Sequence, residues 1–227
     1  MTHFENLDGT LEERIRACTK CELHKTRTRA VIGRGDPSYG LWFVGEAPGR
    51  EEDETGLAFV GRSGRLLNLC NHKEGIRNGY IVNLLKCRPP ENRNPSHDEC
   101  STCLPWLQAQ LKEYKPKVIV ALGRFSIGLF RYSYYYRPHI LNLRITKEVQ
   151  EVANGCKAFR PAVSVLEGLQ TQALMTIPDK DRYNPFIVPN FHPAYIARNA
   201  EALPLFLTQL RTAKQLYARC LKQQDLP

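Results

Sequence analysis

No apolar run in this sequence approaches the roughly 18–20 residues that a membrane-spanning helix needs, and no apolar h-region follows its start. The expectation is therefore a soluble protein of the cytoplasm with no membrane partner. Negative charge is also scarce: 23 Asp and Glu stand against 32 Lys and Arg, a formal net charge of +9. That balance points to a polyanionic partner, most simply nucleic acid. Between Gly45 and Gly64 the stretch GEAPGREEDETGLAFVGRSG reverses the trend, with an acidic cluster and no lysine. Its glycine turns lack the GK[ST] ending of a nucleotide P-loop, which excludes that simple reading.

Eight cysteines are present. In a cytosolic chain they are expected to be ligands, redox groups or buried residues rather than disulfides. Cys18-x2-Cys21 supplies two thiolates from one turn, and Cys87 and Cys103 are sixteen positions apart. Four thiolates suit either Zn²⁺ or an iron–sulfur cluster, and spacing alone does not choose between them. Cys100 rivals Cys103 for the fourth place. Cys70, Cys156 and Cys220 read as buried or incidental.

Thr10-Leu11-Glu12-Glu13 and Ser96-His97-Asp98-Glu99 have the form of capping boxes that open helices. Leu41–Gly45, Tyr80–Leu85, Lys117–Gly123 and Phe186–Phe191 are short apolar runs with the character of buried strands. Helical patterns begin at Ser63 and Ser96, and a C-terminal amphipathic helix runs from about Asn199 to Cys220. Strands separated by helices predict a parallel sheet covered on both faces. Glu46, Asn83 and His192 then fall at strand ends, where open α/β sheets bind ligands. The segment from Arg124 to Asp181 shows no repeat or low-complexity tract and reads as a helix followed by a long insertion at about 131–181. The whole chain, 1–227, is expected to form a single domain.

GEAPG…EED…G…FVG after the first strand, NLLKCRPPENRNP after the second, ALG after the third and HPAY after the fourth resemble, as an ordered set, the family-4 uracil-DNA glycosylases. The likeness covers roughly Leu11 to Gly123 and Phe186 to Arg198. It implies a three-layer α/β/α sandwich with a four-stranded parallel sheet. It also implies excision of uracil from DNA and a structural [4Fe–4S] cluster on Cys18, Cys21, Cys87 and Cys103, the last preferred over Cys100 because LPW follows it. Three features depart from the family pattern: the length of the 124–181 region, Ala58 before the Phe, and Arg50 in place of an acid. The basic His-containing insertion of a covalently trapping relative is absent near ENRNP.

The resemblance also distributes roles. Phe59 stacks the extruded base, Asn83 reads uracil N3–H and O4, and His192 donates to O2, with help from the backbone N–H of Ala47. Glu46 is expected to orient water or stabilise the sugar cation, and Glu52 to exclude the 5-methyl of thymine. Asp53 and Glu54 read as solvated loop residues. Arg62, Ser63, Arg88 and Arg198 are expected to hold DNA phosphates, with Arg65, Lys86 and Arg93 as further candidates and Tyr195 and Ile196 as a wedge. The expectation is a monofunctional enzyme, acting as a monomer on uracil in single- or double-stranded DNA. The rival readings are a non-catalytic iron–sulfur nucleic-acid-binding module that recruits a repair or replication partner, and a zinc-ribbon-like structural protein.

Overall fold

The computed structural model describes residues 9–131 and 185–222. The expected insertion at 131–181, beyond its first residue, lies outside them, as does Cys156. Four strands, β1 (Leu41–Gly45), β2 (Tyr80–Asn83), β3 (Val118–Leu122) and β4 (Phe186–Asn190), form one sheet in the order β2-β1-β3-β4. Every pairing is parallel. β2 is shorter than its apolar run: Leu84 and Leu85 leave the ladder, yet their N–H groups still donate to the carbonyls of Gly45 and Glu46.

The strand alternation sorts side chains between two layers. Leu41 and Phe43 pack on one face with helices α3 (Arg62–Lys73), α6 (Pro193–Ile196) and α7 (Leu203–Lys222). Trp42 and Val44 pack on the other face with α4 (His97–Tyr114) and α5 (Arg124–Arg131). Burial on both faces explains why β1 and β3 are continuous apolar runs. The expected α/β/α sandwich is present. A third, smaller core joins α1 (Leu11–Arg16) to α4 through Ile15, Leu23, Leu85, Cys87, Cys103 and Trp106.

Both capping boxes form: the hydroxyls of Thr10 and Ser96 accept from the N–H of Glu13 and Glu99. Neither α6, where a loop was expected after His192, nor the helix that follows β1 was foreseen. Arg50–Thr55 is α2, although its sequence REEDET offers no apolar stripe. It is held by its acids rather than by hydrophobic burial, and Asp53 and Glu52 are buried, which corrects the reading of Asp53 as solvated. The C-terminal helix begins at Leu203 after a 3₁₀ turn, with Pro204 in its first turn, where a missing N–H costs nothing.

Candidate active site at the carboxyl edge of the sheet

The chain runs from β1 to β2 on one side and returns to β3 on the other, so the direction of winding reverses between β1 and β3. In such sheets the crevice lies beyond the carboxyl ends of those two strands. Glu46 leaves β1 and Arg124 follows β3, and the Arg124 charge acts on the Glu46 carboxyl. Burial dominates, however, and pushes Glu46 up to about 7.

Three elements converge on Gly45. It is in register with Asn83, and a Cβ built on it would collide with Asn83 Oδ1 and stand 2.6 Å from Phe59 Cζ. Only glycine permits both groups to crowd this strand end. The Phe59 ring lies 5.6 Å from the His192 ring, tilted by 40°. Phe59 is both a core residue, 4% exposed, and a wall of this site. Its φ of 53° is in the left-handed region, a strain of about 1–3 kcal/mol for a bulky residue that surrounding structure must impose. Gly64 of α3 supplies part of that constraint, because its Cα packs directly on the Phe59 carbonyl where any side chain would clash.

Asn83 is 1% exposed, and among the described residues neither its Oδ1 nor its Nδ2 has a hydrogen-bond partner. A buried carboxamide in that state costs roughly 1–3 kcal/mol per missing partner, so it is a group held ready for a ligand bearing one donor and one acceptor. His192 caps α6: its Nδ1 accepts from the Ala194 N–H at 3.2 Å. That bond assigns the ring proton to Nε2. Burial, aided by the Arg198 charge, pushes His192 down to about 4, so it is a neutral imidazole that donates from Nε2.

The Glu52 carboxylate is bonded to main chain on both sides. Its Oε2 accepts from Gly49 N–H at 3.1 Å and its Oε1 from Gly61 N–H at 2.8 Å. It ties the turn after Ala47 to the start of α3. Neighbouring Asp53 accepts from the N–H groups of Thr28 and Arg29, joining α2 to the cysteine-bearing N-terminal segment. Motif reading missed this pair of struts, because a run of acids gives no local sign of which will be buried.

Among the phosphate candidates, Arg62 and Arg198 are exposed and Ser63 and Arg88 half-buried, with Arg88 Nε donating to Asn92 Oδ1 at 2.8 Å. Of the three further candidates, Lys86 is corrected, and the other two are surface cations that hold ion pairs. Arg65 is engaged by Glu51, Arg93 by a two-pronged pairing with Glu99 at 2.6 and 2.8 Å, and Lys86 is enclosed. Ile196 is buried in the core, so it cannot wedge into DNA. Tyr195 is stacked on Phe191 with ring centroids 5.0 Å apart.

Cys18, Cys21, Cys87 and Cys103 border one void together with Trp106, Arg27 and Lys86, and none of the four is in a disulfide. Cys100 lies instead in the core beneath the sheet. Three N–H groups converge on the sulfurs: Arg27 Nη1 on Cys87 at 3.1 Å, Trp106 Nε1 on Cys18 at 3.2 Å and Lys86 N on Cys103 at 3.3 Å. Donors aimed at sulfur suit thiolates that carry charge. Among the described residues, no group of three or more His, Cys, Asp or Glu is arranged to hold a metal ion.

Comparison with known proteins places this architecture. A family model described as the uracil DNA glycosylase superfamily matches residues 32–217. Proteins named type-4 uracil-DNA glycosylase from Thermotoga maritima, Pyrobaculum aerophilum and Archaeoglobus fulgidus are 46%, 48% and 48% identical over 128, 118 and 125 residues. Those alignments cover 56%, 51% and 54% of this chain, and 67%, 60% and 62% of the respective relatives. A protein named type-5 uracil-DNA glycosylase from Pyrobaculum aerophilum is more distant, 32% identical over 115 residues, or 43% of this chain and 50% of the relative. With the parallel sheet, the crevice at its winding reversal and a family match across most of its length, the chain belongs to the uracil DNA glycosylase superfamily.

Proposed function

We propose that this protein is a monofunctional DNA-repair glycosylase that hydrolyses the N-glycosidic bond of uracil extruded from DNA and leaves an abasic site. The observation that carries the reading is the buried, unpartnered carboxamide of Asn83 beside the Phe59 and His192 rings. Uracil offers an N–H donor and a carbonyl acceptor on adjacent atoms, the complement of a carboxamide. A base inside a duplex cannot reach such an enclosed group, so the nucleotide is turned out of the stack.

Bond cleavage sends electrons to the base and leaves positive charge on the sugar. His192, neutral and donating from Nε2, stabilises the charge growing on uracil O2, a contribution of about 10²–10³ in rate. The backbone N–H of Ala47 aids this role. Glu46, ionised, stabilises the sugar cation and orients the attacking water. Phe59 stacks on the base. Glu52 acts as a positioning residue: it holds the Gly49 and Gly61 turns in place, and thymine is excluded by the walls it fixes rather than by its carboxylate. Arg62, Ser63, Arg88 and Arg198 hold DNA phosphates, single- or double-stranded, around the crevice.

Cys18, Cys21, Cys87 and Cys103 hold a [4Fe–4S] cluster that organises the N-terminal segment and takes no redox part in excision. The void that the four cysteines share and the three N–H donors aimed at their sulfurs support a charged, thiolate-bound group at this place. The protein works as a monomer in the cytoplasm; no helix among the described residues is long and apolar enough to cross a membrane. The test is incubation with a uracil-containing oligonucleotide followed by alkali. Strand breakage by wild type but not by His192→Ala or Asn83→Ala is expected; equal breakage by all three, or none by wild type, overturns the proposal.

A further inference from the structure

Lys86 is the most enclosed charged side chain among the described residues, 1% exposed, whereas the other described lysines lie nearer the surface. A lysine normally extends its ammonium to water along its own stem. Here the Nζ turns inward and donates to the main-chain carbonyl of Asn83 at 2.8 Å. The same residue's N–H donates to Cys103 Sγ, its carbonyl accepts from Val31 N–H at 2.7 Å, and its side chain borders the void ringed by the four cysteines. One residue thus touches both the strand end that presents the base-reading carboxamide and the thiol cage.

A buried cation is costly unless opposite charge compensates it. A single carbonyl does not supply that charge. The groups within reach that take on negative charge are the sulfurs of Cys103, which accepts from the Lys86 N–H, and Cys87, which borders the same void as the Lys86 side chain. Arg27 answers the same need from the half-exposed side of the cage.

We infer that Lys86 is a positioning residue that couples the two sites: its ammonium offsets the charge of the thiolate cage and, through the Asn83 carbonyl, holds the peptide from which the uracil-reading carboxamide projects. The inference rests on the glycosylase and cluster readings above. It makes uracil affinity and the electronic state of the bound cluster mutually dependent, since a free-energy coupling between two sites acts equally in both directions.

The test uses the full-length, cluster-loaded protein. Lys86→Met keeps the stem and removes the charge; Lys86→Gln removes the charge and keeps a donor. For Lys86→Met, the cluster's reduction potential is expected to move to more negative values and uracil kcat/KM to fall about tenfold, mainly through KM, as for loss of one charge-assisted hydrogen bond. Lys86→Gln should recover part of the KM effect but not the potential. Loss of activity with an unshifted potential, or wild-type values of both, overturns the inference. Wild type itself provides a second measurement should the variants fail to fold or to load cluster. Saturating free uracil must shift the potential, and no shift overturns the coupling. A wild type that releases no uracil from DNA overturns the glycosylase reading instead, so the two failures are distinguishable.

Discussion

Helix α2 and the carboxyl ends of β1 and β2 carry similar polar groups to opposite outcomes. On α2, Glu52 and Asp53 are buried, and their oxygens accept from the backbone N–H groups of Gly49, Gly61, Thr28 and Arg29. At the strand ends, Asn83 is buried with neither amide atom partnered, and burial drives the Glu46 carboxyl up to about 7. A polar group whose bonds are already made serves the fold. A group denied its bonds costs stability, and the cost is recovered only when a ligand completes them. The difference separates two neighbouring acids, Glu46 and Glu52, to which the sequence alone assigns adjoining roles in catalysis.

The comparison can be broken most directly at the unpartnered end. His192→Ala and Asn83→Ala should each lower uracil release by about 10²–10³-fold in single-turnover assays, while Tm stays level or rises for Asn83→Ala and falls by a few degrees for His192→Ala, which loses the cap of α6. A Tm that collapses with activity would assign these residues to the scaffold after all. Glu46→Gln should cost about 10²-fold in kcat/KM. The wild-type rate should rise as pH climbs through about 7, where Glu46 ionises, and the variant should lose that limb. Thermal melts read the same carboxyl. The folded state holds the Glu46 proton up to about 7, whereas an ordinary Glu releases it near 4.5. Wild-type stability therefore declines progressively as pH rises through that window. Glu46→Gln should melt above wild type at neutral pH and level with it below about pH 4.5.

At the satisfied end the ranking inverts. Glu52→Ala orphans the buried Gly61 N–H, worth roughly 1–3 kcal/mol, and should lower Tm by several degrees, whereas Asp53→Ala frees the part-buried N–H groups of Thr28 and Arg29 and should lower it less, with activity falling only as far as the turns loosen. A large kcat loss at unchanged Tm for Glu52→Ala would return that carboxylate to the base edge. The smallest effects belong to the exposed cations. Arg62→Ala and Arg198→Ala should weaken DNA binding a few-fold and reduce the salt dependence of log K by about 0.7–0.9 for each phosphate no longer neutralised.

Local signals were enough for much of the frame. The Thr10 and Ser96 capping boxes, the apolar strands and the start of α3 could be read directly, because caps and periodicity act within a turn or two of chain. The ordered motifs likewise indicated Phe59, Asn83 and His192 as a set, and the structure brings their rings and amide to one strand end. What could not be read was which polar groups would be enclosed. REEDET has no apolar stripe, so neither α2 nor the burial of Asp53 was visible. Lys86 and Arg93 looked like any other surface cations beside a motif, until the fold turned one inward and locked the other on Glu99.

By itself, then, the order of residues determined the succession of strands and helices, the basic character of the molecule and the four cysteines available for one cage. Only the tertiary structure decided which acids became struts, which amide was left without partners, and which lysine was buried between cage and crevice. The physical reason is range. Capping and amphipathic pattern are settled by neighbours along the chain, whereas desolvation and hydrogen-bond satisfaction depend on backbone atoms supplied from far away in sequence, such as Gly61 for Glu52 and Thr28 for Asp53.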